Sequence, residues 1–364
     1  MTQPLFREAG AQLDARNLEE RLAALVKLRG LEQRGALGPA TPKIGPALPS
    51  YDHVHTNASY GDAAPGVYSA ARMVWAAHEA RAFSILSVEH ESVAHMDEAI
   101  RATTIVNRGM TEPLRLALAV EFKVPIALND AVSKKFSDAI LKTWGQGEAA
   151  WVVAVGARRT PELERLVRQF QEAKRVRSEQ QLEKLNRHLK LARPLKLSSI
   201  LTSEGNVTDR QLTLAVARAE LGDVDEKSLA KRGGEVRRML NPGGPAYAPF
   251  PPGLPAYQEL VGQLARWGTL PTFTAQLREQ TLEEFMPTLK SWGMGALDTA
   301  GIEPYEPNAA RDIATFVRLA EQYGLAFYGG SDYRGVGTGW QEHAPWMDHP
   351  LIRASIERVA HRFD

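Results

Sequence analysis

Residues 51–61 read Tyr-Asp-His-Val-His-Thr-Asn-Ala-Ser-Tyr-Gly, and the pattern that indicates the fold begins with them. From here, short apolar runs alternate with amphipathic segments. The runs that we interpret as strands are Phe83 to Val88, Leu114 to Val120, Trp151 to Val155, Gly295 to Ile302 and Leu325 to Tyr328. Strands that alternate with helices predict a parallel sheet, either open or closed into a barrel. In both architectures, functional sites gather at the carboxyl ends of the strands.

Short polar motifs lie where these predicted strands end. They are Asp52-His53-Val54-His55-Thr56, Val88-Glu89-His90, Val120-Glu121 and Gly330-Ser331-Asp332-Tyr333-Arg334. Alternate residues of a strand point to the same face, so His53 and His55 are expected to project together if the segment is extended. Imidazole and carboxylate groups bind hard or borderline divalent metals. The pattern therefore predicts a metal-dependent enzyme.

Each of these candidates also has a purely structural interpretation. Glu121 follows a run that reads as a buried strand, where a carboxylate is costly unless it is paired or bound to metal, but a glutamate at a strand end often faces solvent. Asp332 follows glycines that allow close approach to a ligand, but an aspartate in a loop also caps helices and turns. Adjacent strand residues point oppositely, so only one of Glu89 and His90 is expected to face the site, and His90 is preferred.

Composition excludes several kinds of protein. The 44 Lys and Arg nearly balance the 43 Asp and Glu, so the whole chain offers no strong attraction for nucleic acid or a membrane surface. The absence of cysteine excludes disulfides, thiolate metal sites and a cysteine nucleophile, which leaves His, Asp and Glu as metal ligands. No basic segment followed by an apolar stretch opens the chain, and no run approaches the roughly 18 apolar residues of a membrane span. We expect a cytoplasmic protein without a membrane partner.

The chain divides into an extension and a main domain. Residues 16–35 have helical apolar spacing, and the following Pro- and Gly-rich stretch reads as a linker, so residues 1–48 are predicted to form a helical N-terminal extension with its linker. Residues 49–364 are predicted to form the main α/β domain, with a helical insertion at about 158–260. A helix is expected from Thr160-Pro161-Glu162 to about Leu191, with Thr160 as its N-cap.

The insertion is locally basic. Between Arg158 and Lys196 there are twelve Lys or Arg against five Glu. A solvated helix face explains such a charge run, and a surface for a polyanionic substrate is the alternative. Residues 241–257 contain too many Pro and Gly to hold regular structure.

The motifs together resemble the polymerase and histidinol phosphatase (PHP) family, over about Tyr51 to Arg334. The resemblance rests on their order and spacing: residues 53–61 with Pro65 beyond, Ser87-Val88-Glu89-His90-Glu91, Ala119-Val120-Glu121, Gly301-Ile302-Glu303-Pro304-Tyr305 and Gly329-Gly330-Ser331-Asp332. It implies a distorted, TIM-like (β/α)7 barrel and a metal-dependent phosphoesterase.

Several family metal ligands are replaced in this chain. Tyr60 stands where the family has Asp in Ser-Asp-Gly, Glu89 where it has the Asp of an Asp-His pair, and Trp151 where a His often opens the next strand. Residues 272–274 appear in place of Ala-His-Pro, and Arg334 in place of the last His. The resemblance assigns the remaining set, His53, His55, Glu121 and Asp332, to one metal. We therefore expect one ion, and this ligand set suits zinc, manganese or iron(II) better than calcium or magnesium.

The leading hypothesis is a phosphoesterase that hydrolyses a small phosphate ester at a mononuclear metal site. His90 is the candidate catalytic acid or base. Arg334 is expected to bind the substrate's anionic group and assist catalysis, or else to form a salt bridge with Asp332 or Glu89. Glu89 is a second candidate for substrate binding.

Other functions stay open on the sequence. One is a catalytically degenerate barrel of the same fold, acting as a binding or regulatory protein. Another is a mononuclear hydrolase of non-phosphate substrates, since fold does not fix function. Nucleic acid is a possible substrate only if the basic helix contacts an oligonucleotide. The sequence does not indicate an oligomeric state.

Overall fold

The computed structural model describes residues 2–35, 50–60, 68–145, 147–191, 193–202, 205–222, 224–302, 306–330, 332 and 349–361. The first part contains α1 (Thr2–Gln12), α2 (Leu18–Gln33), β1 (Ser50–Val54), α3 (Asn57–Tyr60), α4 (Ala70–Glu79), β2 (Ser84–His90), α5 (His95–Asn107), β3 (Arg115–Pro125), α6 (Ala131–Trp144) and β4 (Ala149–Val155). There follow α7 (Pro161–Leu189), α8 (Asp209–Leu221), α9 (Glu226–Leu240), α10 (Tyr257–Arg266), β5 (Leu270–Phe273), α11 (Glu279–Trp292), β6 (Ala296–Asp298), α12 (Ala309–Tyr323), β7 (Ala326–Tyr328) and α13 (Pro350–Val359).

The strands form one sheet in the order β1 to β7, with helices between most of them. The two outer strands are linked through a side chain, because the Gly329 N–H, just after β7, donates to Asp52 Oδ2 of β1 at 3.1 Å. The sheet is thus a nearly closed barrel. This arrangement confirms the predicted distorted β/α barrel with an N-terminal helical extension and an inserted helical region.

Strand β4 is the exception to the predicted parallel order. It runs antiparallel to both β3 and β5, whereas the other neighbouring strands are parallel. Its first residues therefore lie at the carboxyl end of β3, where Trp151 pairs with Lys123. An apolar run carries no sign of its direction, so the sequence alone could not reveal this reversal. As a consequence, Trp151 lies at the end of the barrel where the polar motifs gather.

Strand β5 was missed by the sequence analysis. Pro271 lies within it, and a proline lowers the expectation of a strand because it cannot donate to the ladder. Its carbonyl still accepts a hydrogen bond from Gly295 N at 2.8 Å. The predicted strand from Gly295 to Ile302 was too long, since β6 ends at Asp298.

The N-terminal helices pack on the barrel. The predicted helix at 16–35 is observed as α2, and Leu13, Leu22 and Leu25 belong to the same buried cluster as the strands. Arg21 of α2 also pairs with Glu98 of α5 at 2.6 Å. The predicted linker lies outside the described residues except for Ser50, and the division of the chain at residue 48 stays a prediction.

The insertion between β4 and β5 is helical. Thr160 caps α7 by accepting a hydrogen bond from Leu163 N at 3.2 Å, as predicted, and the helix ends at Leu189. Leu185 of α7, Leu212 of α8 and Val236 of α9 belong to a second, smaller buried cluster. Residues 241–256 contain no helix or strand, as their Pro and Gly content predicts. Within the described ranges, no helix is long and apolar enough to cross a bilayer.

Helix α9 carries adjacent glycines in its middle, and Gly234 is the simpler one to replace. Glycine inside a helix is less favourable than alanine by about 0.5–1 kcal/mol. A Cβ added at Gly234 meets nothing within 4 Å, whereas one at Gly233 lies 3.1 Å from Leu214 Cδ2. We expect Gly234→Ala to raise the free energy of unfolding by about 0.5–1 kcal/mol in urea titrations. Gly233→Ala is the matched control and should gain less; equal gains would contradict this explanation.

Candidate metal centre

Strand β1 brings His53 and His55 together through an irregular backbone. The pairing of β1 with β2 slips between Tyr51 and Val54, and His53 has a φ of 55°, in the left-handed region. This conformation is uncommon for a residue other than glycine and is often found at functional sites. The imidazole rings lie 5.0 Å apart, centroid to centroid. The predicted convergence is observed, but simple strand alternation is not its cause.

Glu121, on β3, lies between three imidazoles. Its Oε1 is 3.9 Å from His53 Nε2, and its Oε2 is 4.0 Å from His55 Nε2 and 3.0 Å from His90 Nδ1. The residue is only 4% exposed, so the interpretation as a solvent-facing strand-end glutamate does not hold. Its Oε2 is buried and accepts no well-aligned hydrogen bond from the described residues, although His90 Nδ1 lies close to it. A buried carboxylate oxygen surrounded by imidazole nitrogens is suited to a cation.

Asp332 completes the set that the sequence predicted. Its Oδ1 lies 3.5 Å from His55 Nε2 and 4.0 Å from His53 Nε2. The backbone φ of Asp332 is 48°, in the left-handed region. The structure thus brings together all four residues predicted as metal ligands.

His90 lies within the same cluster. Its ring stacks on that of His55 with centroids 4.5 Å apart, and it also lies 5.1 Å from the ring of Trp151. The candidate ligand atoms form two overlapping groups, His53, His55 and Asp332, and His55, His90 and Glu121, and within each group all atoms lie within 4.8 Å of one another. His90, predicted as an acid or base, is therefore also a candidate metal ligand.

Asp298, at the end of β6, is a site residue that the sequence analysis missed. Its Oδ2 accepts a hydrogen bond from His53 Nδ1 at 2.8 Å, and its Oδ1 accepts from Ala300 N at 2.9 Å and Gly330 N at 3.0 Å. Since a carboxylate only accepts, Nδ1 of His53 carries a proton, and its Nε2 is the nitrogen that faces Glu121 and Asp332. The available signal was a carboxylate at a strand end, hidden because the predicted strand ran past it to Ile302.

Burial and neighbouring charges shift the pKa values of His53 and His55 in opposite directions. Burial would lower the pKa of His53, but the carboxylates of Asp298, Glu121 and Asp332 raise it to about 9. Burial, together with the nearby His90, lowers the pKa of His55 to about 3. His55 is therefore neutral at physiological pH, the form in which imidazole binds metals.

Glu89 makes contacts that differ from its predicted role. Its Oε1 accepts from Thr56 N at 2.8 Å and its Oε2 accepts from the Ser59 hydroxyl, so it anchors the chain just after β1. Burial raises its pKa to about 7. Glu89 is not among the residues lining the cavity described below, and its predicted substrate contact gains no support from this arrangement.

Some of the other positions singled out in the sequence lie outside the described residues. Arg334, the candidate for substrate binding and catalysis, lies there, as do Glu303 and Tyr333 and the side chain of Tyr60. Trp151, which the sequence resemblance sets at the position of a replaced histidine, lies beside His90.

A cavity of about 240 Å³ opens from the cluster. His53, His90, Glu121 and Asp332 line it at the candidate metal centre, and the faces of α8 and α9 line it at the insertion. Further lining residues include Trp144, Trp151, Thr274, Ala300 and Gly301. The insertion therefore forms part of the wall of the candidate active site.

Buried ion pairs fasten the insertion to the barrel beside this cavity. Lys174 of α7 bonds Glu91 Oε2 at 2.6 Å, and Glu91 Oε1 accepts from Lys123 N at 3.0 Å. Lys123 in turn bonds Asp209 Oδ2 of α8 at 2.6 Å, and burial lowers the pKa of Lys123 to about 8. Part of the local basic bias of the insertion is thus used in buried pairing.

Comparisons with known proteins identify similar folds. No family model matches the chain, and no curated protein is detectably similar in sequence. A structure described as a metal-dependent phosphoesterase from Bifidobacterium adolescentis is similar with a TM-score of 0.60 and 16% identity, over 86% of this chain and 98% of that one. An amidohydrolase from Chromobacterium violaceum, with bound sulfate and no metal, is similar with a TM-score of 0.61 and 18% identity, over 86% and 97% of the two chains. At these identities the likeness supports the barrel fold.

Proposed function

We propose that this chain is a metal-dependent hydrolase that acts on a small phosphate ester. The observation that carries the proposal is the buried cluster of His53, His55, His90, Glu121 and Asp332 at one end of a cavity. Imidazoles and carboxylates buried this close together supply nitrogen and oxygen donors to one point, which favours a bound cation.

The donor set fits one divalent ion. Nitrogen and oxygen donors of this kind suit zinc, manganese or iron(II). His55 is common to both groups of candidate ligand atoms, so one ion held there can recruit ligands from either group. A mononuclear site is the proposal, with His53, His55, Glu121 and Asp332 as ligands and His90 as a further ligand or as an acid or base.

When an ion is bound, the site gains a Lewis acid that lowers the pKa of water and polarises a phosphoryl oxygen. The chain's own residues supply the rest. Asp298 fixes the His53 ring through the 2.8 Å hydrogen bond to Nδ1. The ring of Trp151, on β4, lies 5.1 Å from that of His90 and supplies an apolar surface beside it. Arg334, two residues beyond Asp332 in the sequence, is proposed to bind the substrate's anionic group.

The two structural neighbours support different substrates. The bacterial phosphoesterase supports a phosphate ester, and the sulfate in the second neighbour is a tetrahedral anion like phosphate. The second neighbour is also named an amidohydrolase, which favours amide hydrolysis as a second candidate. The same donor set serves both reactions.

A substrate panel separates these functions. The protein would be freed of metal, supplied with zinc, manganese or iron(II), and assayed with p-nitrophenyl phosphate, bis(p-nitrophenyl) phosphate and p-nitroacetanilide. We expect metal-dependent release of p-nitrophenol from a phosphate ester. Metal-dependent cleavage of the anilide alone would favour the amidohydrolase. No turnover with any metal would favour a binding or regulatory barrel.

Asp298 offers a test of the site that does not need a substrate. Replacing it with Asn is expected to lower the affinity for zinc by about 10- to 100-fold, because the ring orientation and basicity of His53 depend on the carboxylate. Isothermal titration calorimetry of the metal-free protein measures this change. Asp138→Asn, at an exposed position on α6, is the control and should bind zinc as the wild type does. Equal affinities in both variants would remove Asp298 from the proposed site.

A further inference from the structure

One face of α9, in the helical insertion, forms part of the cavity wall. Ala230, Gly233, Gly234 and Arg237 all line the cavity, and their spacing of three, four and seven residues places them on the same side of the helix. The small residues leave space, and Arg237 follows them one turn later. On α8, Thr213 and Leu214 also line the cavity.

Arg237 is a cation without a carboxylate of its own. The neighbouring buried cations are each paired: Lys123 with Asp209 at 2.6 Å, Lys174 with Glu91 at 2.6 Å, and Arg177 with Glu148. Arg237 is half-buried, and among the described residues its guanidinium forms no hydrogen bond and no ion pair. The positive charge of Arg237 nevertheless acts on the paired residues nearby, because it helps to lower the pKa of Lys123.

The cavity also contains a carboxylate that bears on anion binding. Asp209 lines it at the start of α8, but its Oδ2 already bonds the Lys123 ammonium. Burial would raise the pKa of Asp209, but Lys123, Arg177, Lys174 and Arg237 together lower it strongly. Asp209 is thus ionised, and the ammonium of Lys123 balances its negative charge. The guanidinium of Arg237 keeps its donors for another anion, which it can bind through two parallel hydrogen bonds.

We infer that Arg237 binds a second, non-reacting anionic group of the substrate, so that the cavity takes a small molecule with negative groups at both ends. This inference rests on the proposed function, which places the reacting phosphate at the metal cluster. The second group is a carboxylate or a phosphate. Trp144, Trp151 and Leu214 line the cavity as well, so an apolar or planar connection between the two groups is favoured.

The kinetic test compares substrates with and without the second charge. The substrates are phenyl phosphate, 3- and 4-carboxyphenyl phosphate, and alkanediol bisphosphates of increasing length. For the best of the doubly charged substrates, Arg237→Gln is expected to lower kcat/KM by about 10- to 100-fold, the loss of a charged hydrogen-bonding contact. The loss for phenyl phosphate should be much smaller. Arg237→Lys should recover part of the difference, because an ammonium keeps the charge but not the fork.

Arg238 provides the matched control. It is the next residue of α9, is exposed, and does not line the cavity. Arg238→Gln is expected to leave kcat/KM for all these substrates within about two-fold. The inference is overturned if Arg237→Gln lowers kcat/KM equally for singly and doubly charged substrates, or if Arg238→Gln has the same effect as Arg237→Gln.

A binding measurement separates failure of this inference from failure of the proposed function. Isothermal titration of the zinc-loaded wild-type protein with phenylphosphonate, 4-carboxyphenylphosphonate and alkane bisphosphonates needs no turnover, because these ligands contain no ester to hydrolyse. Tighter binding of a doubly charged phosphonate than of phenylphosphonate, weakened in Arg237→Gln and retained in Arg238→Gln, supports the subsite even if no ester is hydrolysed. Hydrolysis of phosphate esters without this difference in binding or kinetics leaves the phosphoesterase standing and overturns the role of Arg237.

Discussion

Replacing Glu121 with Gln is expected to abolish tight metal binding and to lower turnover of a phosphate ester by about 1,000-fold or more. Glu121 lies within 4.0 Å of His53, His55 and His90, so it is the carboxylate through which the cluster is connected. Glutamine removes the negative charge and directs an amide N–H₂ group, which cannot bind a cation, into a buried site. Metal content by elemental analysis and steady-state kinetics measure the two effects.

Two further variants show whether the effect belongs to the carboxylate. Glu121→Asp keeps the charge on a shorter side chain and should retain weakened metal binding with part of the activity. Glu162→Gln makes the same chemical change at an exposed position near the start of α7 and should behave as the wild type. A Glu121→Gln protein that still holds stoichiometric metal would show that the ligands lie elsewhere.

Replacing Glu91 with Leu is expected to lower the free energy of unfolding by about 3–5 kcal/mol. Glu91 is fully buried and bonds the Lys174 ammonium at 2.6 Å, and Lys174 is itself only 5% exposed. Loss of the carboxylate leaves a buried charge without its partner and also leaves Lys123 N without its acceptor at 3.0 Å. Denaturant unfolding monitored by circular dichroism measures the change.

The double variant Glu91→Leu, Lys174→Met supplies the control for this prediction. Removing both charges takes away the unpaired ammonium, so the double variant should be clearly more stable than Glu91→Leu alone. If the single variant loses less than about 1 kcal/mol, the pair does not fasten the insertion to the barrel in the way proposed.

Much of the fold was predictable because it depends on local patterns. Apolar runs of strand length alternate with amphipathic segments, and this alternation predicted a parallel sheet, either open or closed; the resemblance of the motifs to a known family implied the barrel. The polar residues at the ends of those runs then predicted where His53, His55, Glu121 and Asp332 meet. Residues at strand ends share one edge of a barrel whatever the details of packing. That rule indicated that these motifs would meet at one edge, and the resemblance of the motifs to a known family then assigned these four residues to one metal.

The remaining parts of the site depend on information that local patterns do not carry. The reversal of β4 is set by pairing with two distant strands, and Trp151 reaches His90 only because of it. Asp298 was overlooked because a three-residue strand gives little signal of where it ends. Glu91 forms a buried ion pair with Lys174, which is 83 residues away in the chain, and its own neighbours in the sequence give no sign of this partner. Such long-range partners are fixed by packing, and a single sequence does not show them.

The most direct test of the candidate metal centre is the metal content of the purified protein, measured by elemental analysis beside the double variant His53→Ala, Asp332→Ala. About one tightly held zinc, manganese or iron ion per chain, lost in the double variant, is the predicted result. No metal in the wild-type protein, even after incubation with zinc or manganese, would contradict the account and leave a barrel of this fold without metal-dependent chemistry.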